Sequence, residues 1–135
     1  MGYTHYWTYN KSDSDSKQFA KAVQEIKKLL ATEEVKSISL CGEADDKEPI
    51  LQEDEVFLNG VGVFRLDDFC VVLDEPGWDF CKTDRKPYGL VVMLCLIAFA
   101  NNLNDFTFKS NGDEWLPARK LYEAQINCIK PGIFN

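Results

Sequence analysis

Leu90-Val91-Val92-Met93-Leu94-Cys95-Leu96-Ile97-Ala98-Phe99-Ala100 is the stretch on which the fold turns. It has no charged residue and no polar stripe, so a helix built from it needs cover on most sides. Its 11 residues fall well short of the ~20 required to span a bilayer. The run therefore predicts a core helix, over about Pro87 to Asn102, packed against a sheet.

Immediately upstream stands Phe80-Cys81-Lys82-Thr83-Asp84-Arg85-Lys86-Pro87-Tyr88. Cations placed just ahead of the unpaired N–H groups of a helix start make a candidate anion site. Lys82, Arg85 and Lys86 supply the charge, and the arginine can grip two oxygens at once. The plainer reading is a solvated connection in which Thr83 or Asp84 caps the helix, because surface ion pairs are worth only about 0–1 kcal/mol. Downstream, Asp105 to Lys109 predicts a strand with Phe106 and Phe108 on one face, followed by a turn at Ser110-Asn111-Gly112. Asp113 is then placed to cap a last helix carrying Pro117 in its first turn, where the missing N–H does no harm. Trp115, Ala118, Leu121, Tyr122 and Gln125 form its inner side.

The middle of the chain reads as β structure. Glu55–Asn59, Val61–Leu66, Phe69–Leu73 and Trp78–Cys81 are short runs broken by Asn59-Gly60, Asp67-Asp68 and Glu75-Pro76-Gly77. Asn-Gly favours a type I′ hairpin turn and Pro-Gly a type II turn. Ser37 to Cys41 predicts one more strand, followed by an acidic loop holding Glu43, Asp45, Asp46, Glu48, Glu53, Asp54 and Glu55. Those carboxylates lack the D-x-[DN]-x-[DN]-G rhythm of a calcium loop, so they read as solvated, with no metal and no cofactor expected.

At the start of the chain, Tyr3, His5, Trp7 and Tyr9 alternate with Thr4, Tyr6, Thr8 and Asn10, a period of two that predicts a strand. The segment Lys11-Ser12-Asp13-Ser14-Asp15-Ser16 offers turn and cap residues. Phe19, Ala22, Val23, Ile26, Leu29 and Leu30 then form the apolar stripe of an amphipathic helix. The predicted order is β-α-β-β-β-β-β-α-β-α. It describes a single α+β domain over residues 1–135, a mainly antiparallel sheet of about six strands packed by two or three helices.

A net charge of −7 opposes non-specific binding to nucleic acid or anionic lipid, which needs a basic face. Cys41, Cys70, Cys81, Cys95 and Cys128 are odd in number and include no C-x-x-C pair, so they predict reduced thiols rather than disulfides or a zinc ribbon. The opening residues lack the basic and apolar regions of a secretory signal. Tyr6 stands where a myristoylation motif at Gly2 requires Ser or Thr.

Several residues are candidates for chemistry. His5 is the sole histidine, a possible general acid or base near neutral pH or a hydrogen-bonded structural residue. Trp7, Tyr88 and Trp115 would give an apolar wall to a site beside Lys82, Thr83, Arg85 and Lys86. Trp78 and Trp115 could stack on a base, but aromatic residues at strand and helix periods usually belong to the core. Cys81 is a conceivable nucleophile only if the neighbouring cations lower its pKa. A P-loop, a dinucleotide fingerprint, a nucleophile elbow and a zincin motif are all missing.

Met1-Gly2-Tyr3-Thr4-His5-Tyr6-Trp7, the Phe80-Cys81-Lys82-Thr83-x-Arg85-Lys86-Pro87-Tyr88 motif, Asn59-Gly60, and Ser110-Asn111-Gly112-Asp113-Glu114-Trp115-x-Pro117-Ala118-Arg119 span most of the chain. Together they resemble a family of small hypothetical proteins of bacteriophage and some microbial and fungal genomes. The resemblance implies that His5, Lys82, Thr83, Arg85, Lys86 and Trp115 belong to one pattern, and it carries no established activity. Gly89 stands where the family pattern has an acidic residue, and acidic residues rather than a glycine-rich turn follow Gly42. If that missing acid is catalytic in relatives, this chain is a binding-only version.

Two expectations follow. In the first, a cytoplasmic domain (host cytoplasm, if phage-encoded) binds an anionic, phosphate-bearing or nucleotide-like small molecule through Lys82, Arg85 and Lys86, with His5 giving a proton or a hydrogen bond. In the second, the chain is a non-catalytic interaction protein, such as a phage accessory or virion component. Its aromatic first strand or acidic loop would then meet a protein partner, or a sheet edge would form a homo-oligomer. Neither expectation involves a membrane.

Overall fold

A computed structural model describes residues 3–12 and 15–134. The myristoylation reading at Gly2 and the cap candidates Asp13 and Ser14 lie outside the described residues. The apolar run forms helix α2 (Tyr88–Asn102), in which every residue from Val91 to Ala100 is buried. Three neighbours that touch it are α1 (Asp15–Leu30), α3 (Leu116–Gln125) and strand β6 (Phe106–Ser110). Phe99 is the joint, with its ring centroid 4.8 Å from that of Phe19 on α1 and 5.6 Å from that of Phe106 on β6. Each such ring buries on the order of 150–250 Å² of apolar surface. Uniform apolarity thus becomes centrality: no described helix is long and apolar enough to cross a membrane.

Two three-stranded antiparallel sheets surround the helices. In one, β1 (Thr4–Tyr9) lies between β5 (Gly77–Lys82) and β6, with His5 opposite both Cys81 and Ser110. In the other, β3 (Glu55–Leu58) lies between β2 (Ile50–Gln52) and β4 (Phe69–Val72). The sheets are joined where Trp7 meets Phe69, ring centroids 5.0 Å apart, and where the Tyr9 hydroxyl donates to the Leu73 carbonyl at 2.9 Å. The described residues thus form an α+β fold of six strands and three helices around one core.

Four local expectations are corrected. Ser37 to Leu40 is irregular, and Cys41 makes only an isolated bridge to Asn59, because β2 already occupies that side of β3 from Glu55 to Phe57. Val61 to Leu66 is not a strand but a loop containing a 3₁₀ turn at Gly62–Phe64. Asn59-Gly60 is not a type I′ turn, since neither residue has a positive φ. Instead the Asn59 side chain, fully buried, donates to the Leu66 carbonyl (3.0 Å) and to Asp68 (2.8 Å), and accepts from the N–H groups of Gly60 (2.7 Å) and Leu66 (3.1 Å). That one amide takes the backbone partners a strand would have needed. Gly60 is required for close approach, because a Cβ there would stand 2.1 Å from the Phe64 carbonyl oxygen.

The fourth correction concerns α3, whose N-cap is Trp115 with no side-chain cap, so Asp113 does not cap it. Trp115 is pinned into that position by its indole N–H, which donates to Ser110 Oγ at 2.9 Å. Pro117 does sit in the first turn.

Candidate ligand-binding site

Period-two alternation turns Tyr3 and His5 to the buried side of β1. The turn from β5 to α2 is then hung from the same strand: the N–H groups of Thr83 and Asp84 both donate to the Tyr3 carbonyl, at 2.9 and 3.1 Å. To make this turn, Asp84 and Arg85 adopt φ of 51° and 60°, the left-handed region, which costs a non-glycine residue about 1–2 kcal/mol. Lys86 N–H closes onto the Thr83 carbonyl (2.9 Å) and Gly89 N–H onto the Lys86 carbonyl (2.8 Å). The chain therefore enters α2 with part of its N-terminal donor set already used.

These elements enclose a cavity of about 310 Å³ lined by residues that include His5, Thr83, Arg85 and Lys86. Gly89, Leu90 and Met93, also in its wall, share one face of α2. Tyr3, Pro87, Glu114 and Pro117 complete the lining. Gly89 leaves little space beside Thr83, since a Cβ there would lie 3.1 Å from Thr83 Oγ1. An acidic side chain at position 89 would have to displace Thr83.

His5 is 1% exposed, and its Nδ1 is fully buried with no hydrogen-bond partner among the described residues. Its ring lies 4.7 Å from that of Tyr3 and edge-on to that of Trp115 at 5.5 Å. Burial disfavours the charged ring and lowers its pKa from 6.5 to about 4. At neutral pH the imidazole is uncharged, with one N–H and one lone pair to offer. It is thus suited to hydrogen bonding and not to acting as a general acid near pH 7.

The cations at the rim are engaged but accessible. Arg85 Nε donates to both oxygens of Glu114, at 3.0 and 3.2 Å, and its guanidinium carbon lies 4.7 Å from the Tyr3 ring centroid. Both partners are about half exposed, so the pair is worth little and is open to exchange. Lys86 Nζ donates to the Val63 carbonyl at 3.1 Å.

Four of the site residues expected from sequence therefore meet: His5, Thr83, Arg85 and Lys86. Lys82 does not, because on β5 it alternates with buried Cys81 and points to the opposite face. Trp7 is buried against Phe69 between the sheets. Tyr88 lies off the cavity face of α2, fully buried, with its hydroxyl donating to the Asp67 carbonyl at 2.7 Å. Trp115 stands behind His5 rather than in the cavity wall. Cys81 is buried and its thiol is pushed up to about 12 by desolvation, so it stays protonated and non-nucleophilic. Trp78, expected in the core, is 62% exposed on the outer sheet face.

Sequence reasoning missed Tyr3 and Glu114. Tyr3 carried a signal, since it shares a strand face with His5. The pairing of Glu114 with Arg85 arises only once β6 and its turn bring them together across 29 residues of chain. Among the described residues no group of three or more His, Cys, Asp or Glu is gathered as metal ligands. No protein-family model, no curated protein and no solved structure matches the chain.

Proposed function

We propose that the protein binds a small organic anion, phosphate-bearing or carboxylate, in the cavity at the amino end of α2. The observation that carries this reading is the convergence of His5, Arg85 and Lys86 on one cavity at the start of α2. Arg85 and Lys86 supply charge-assisted hydrogen bonds to the anionic group. Tyr3, Leu90, Met93 and Pro117 bury the apolar body of the ligand, at roughly 25 cal/mol per Å² removed from water. The neutral His5 makes binding, rather than acid catalysis, the role assigned to this site.

Isothermal titration calorimetry against a panel of sugar phosphates, nucleotides and aromatic carboxylates tests the proposal. At least one compound is expected to give heat and a rise in melting temperature, and Arg85→Ala is expected to abolish both while leaving the fold intact. Silence across the whole panel would count against it.

A second reading, a non-catalytic protein-interaction component, draws on the 61–66 loop, where Val63 is 82% and Phe64 52% exposed. Isolated exposed apolar residues are ordinary, but adjacent ones at a loop tip fit a protein contact. Size exclusion with light scattering, on the chain and on Val63→Ser/Phe64→Ser, separates this reading from the first.

A further inference from the structure

On the outward face of the β5-β1-β6 sheet Trp78, Phe80, Lys82, Thr107 and Lys109 are exposed and Thr4, Tyr6 and Thr8 half-buried, and the face carries an aromatic cluster. Tyr6 on β1 is opposite Phe80 on one side and Lys109 on the other, and Thr8 is opposite Trp78 and Thr107. Trp78 and Phe80 are 62% and 46% exposed. The three ring centroids are 5.6 to 6.5 Å apart, with interplanar angles of 26° to 41°. At that spacing the rings pack on one another in offset and tilted pairs, and Trp78 and Phe80 keep much of their surface open to a planar ligand.

The polar residues of this face share one character. The outward positions of the three strands are Thr4, Tyr6 and Thr8; Trp78, Phe80 and Lys82; and Thr107 and Lys109. They include two lysines and no carboxylate, in a chain of net charge −7. Neither lysine makes a side-chain ion pair among the described residues. A groove of about 310 Å³ opens beside the cluster, with Tyr6, Thr8, Trp78, Thr107 and Lys109 in its wall.

We infer that this sheet face binds single-stranded nucleic acid, with bases laid on Tyr6, Trp78 and Phe80 and phosphates held by Lys82 and Lys109. The occupant is fixed by charge and shape together. An apolar protein segment would leave both lysines and the threonine hydroxyls without partners. A second copy meeting this face would bring like charges together, two lysines from each chain. A single strand offers flat bases to the rings and anionic groups to the lysines. The acidic surplus of the chain opposes backbone attraction to either form; a single strand can offset it by stacking its bases on the rings, whereas a duplex keeps its bases stacked internally.

The test is fluorescence anisotropy of a fluorescein-labelled eight-nucleotide oligo(dT) titrated with the full chain. Binding is expected, with a shallow salt dependence of about −1.4 in log K against log[salt], the release from two phosphate contacts on a single strand. Trp78→Ala should weaken binding at least about fivefold, the loss of one stacked base, and Trp78→Phe should recover most of it. Lys82→Ala and Lys109→Ala should each reduce the salt slope by about 0.7. Phe80→Ser is a second outward variant, and circular dichroism checks the fold of each. Absence of binding, equal affinity for a duplex of the same length, or indifference to both Trp78→Ala and Phe80→Ser would overturn the inference. So would a dimer that Trp78→Ala dissociates in a chain that binds no oligonucleotide.

Discussion

Along β1, neighbouring side chains meet opposite surroundings. Tyr3, His5, Trp7 and Tyr9 are each less than 5% exposed, packed toward Trp115, Phe69 and Phe106. Tyr6, between them in sequence, shares the outer face with exposed Trp78 and Phe80. Aromatic rings occur on both faces of this sheet, but the inner face of β1 is wholly aromatic or imidazole, whereas the outer face sets its rings among threonines and lysines. The faces differ also in cover: one face is roofed by segments from elsewhere in the chain, and the other is left open. On the roofed face the buried His5 Nδ1 has no hydrogen-bond partner among the described residues, whereas on the open face Lys82 and Lys109 make no side-chain ion pair among them.

The contrast is broken most directly by shortening one tryptophan on each side. Trp7→Ala should cost about 3–5 kcal/mol in urea denaturation, the usual loss for a large buried aromatic. Trp78→Ala should stay within about 1 kcal/mol of the parent, since it removes an exposed ring. Equal losses would mean that the outer cluster is structural after all.

Next in size is the pH dependence carried by His5. Its folded pKa of about 4 lies below the ordinary 6.5, so between those values the unfolded chain takes up a proton that the native state refuses. The stability linked to the neutral ring is complete above about pH 6.5 and drains away as pH falls to 4, a loss of roughly 3 kcal/mol. His5→Phe should flatten that part of the stability curve, measured by denaturation at each pH. An unchanged slope would place the imidazole in water.

Smaller effects sharpen the rim of the cavity. Glu114→Gln frees Arg85 and should tighten binding of an organic anion a few-fold, in line with the ~0–1 kcal/mol of an exposed ion pair. Weaker binding would show that Glu114 holds Arg85 in place rather than competing with the ligand. Asp84→Gly relieves a left-handed residue and should raise stability by at most about 1 kcal/mol.

Much of the architecture was legible because it follows from periodicity. The run from Leu90 to Ala100 could only be a covered helix, and the alternation from Tyr3 to Asn10 could only be a strand with His5 and Trp7 on one side. What escaped was tertiary. β2 is three residues, Ile50–Gln52, too short to show a period. The 61–66 segment has strand-like residues, but the Asn59 amide captures its backbone groups. The candidate site was half legible for the same reason. Arg85 and Lys86 were marked by their place before a helix, and His5 by its strand face. Lys82, by contrast, was assigned by proximity in sequence, although alternation on β5 already turned it away from Cys81 and the interior. Glu114 joins the cavity rim through a hydrogen bond from its N–H to the Tyr3 hydroxyl, partners 111 residues apart. No local pattern encodes that contact.

Because the chain has a single histidine, long-range proton–nitrogen NMR of its imidazole reads the cavity without ambiguity. In the free protein the ring should remain neutral down to about pH 4, and addition of phenyl phosphate should shift its nitrogen signals in the parent but not in Arg85→Ala. A ring that titrates near 6.5, and whose signals ignore phenyl phosphate and every other organic anion tried, would contradict the account.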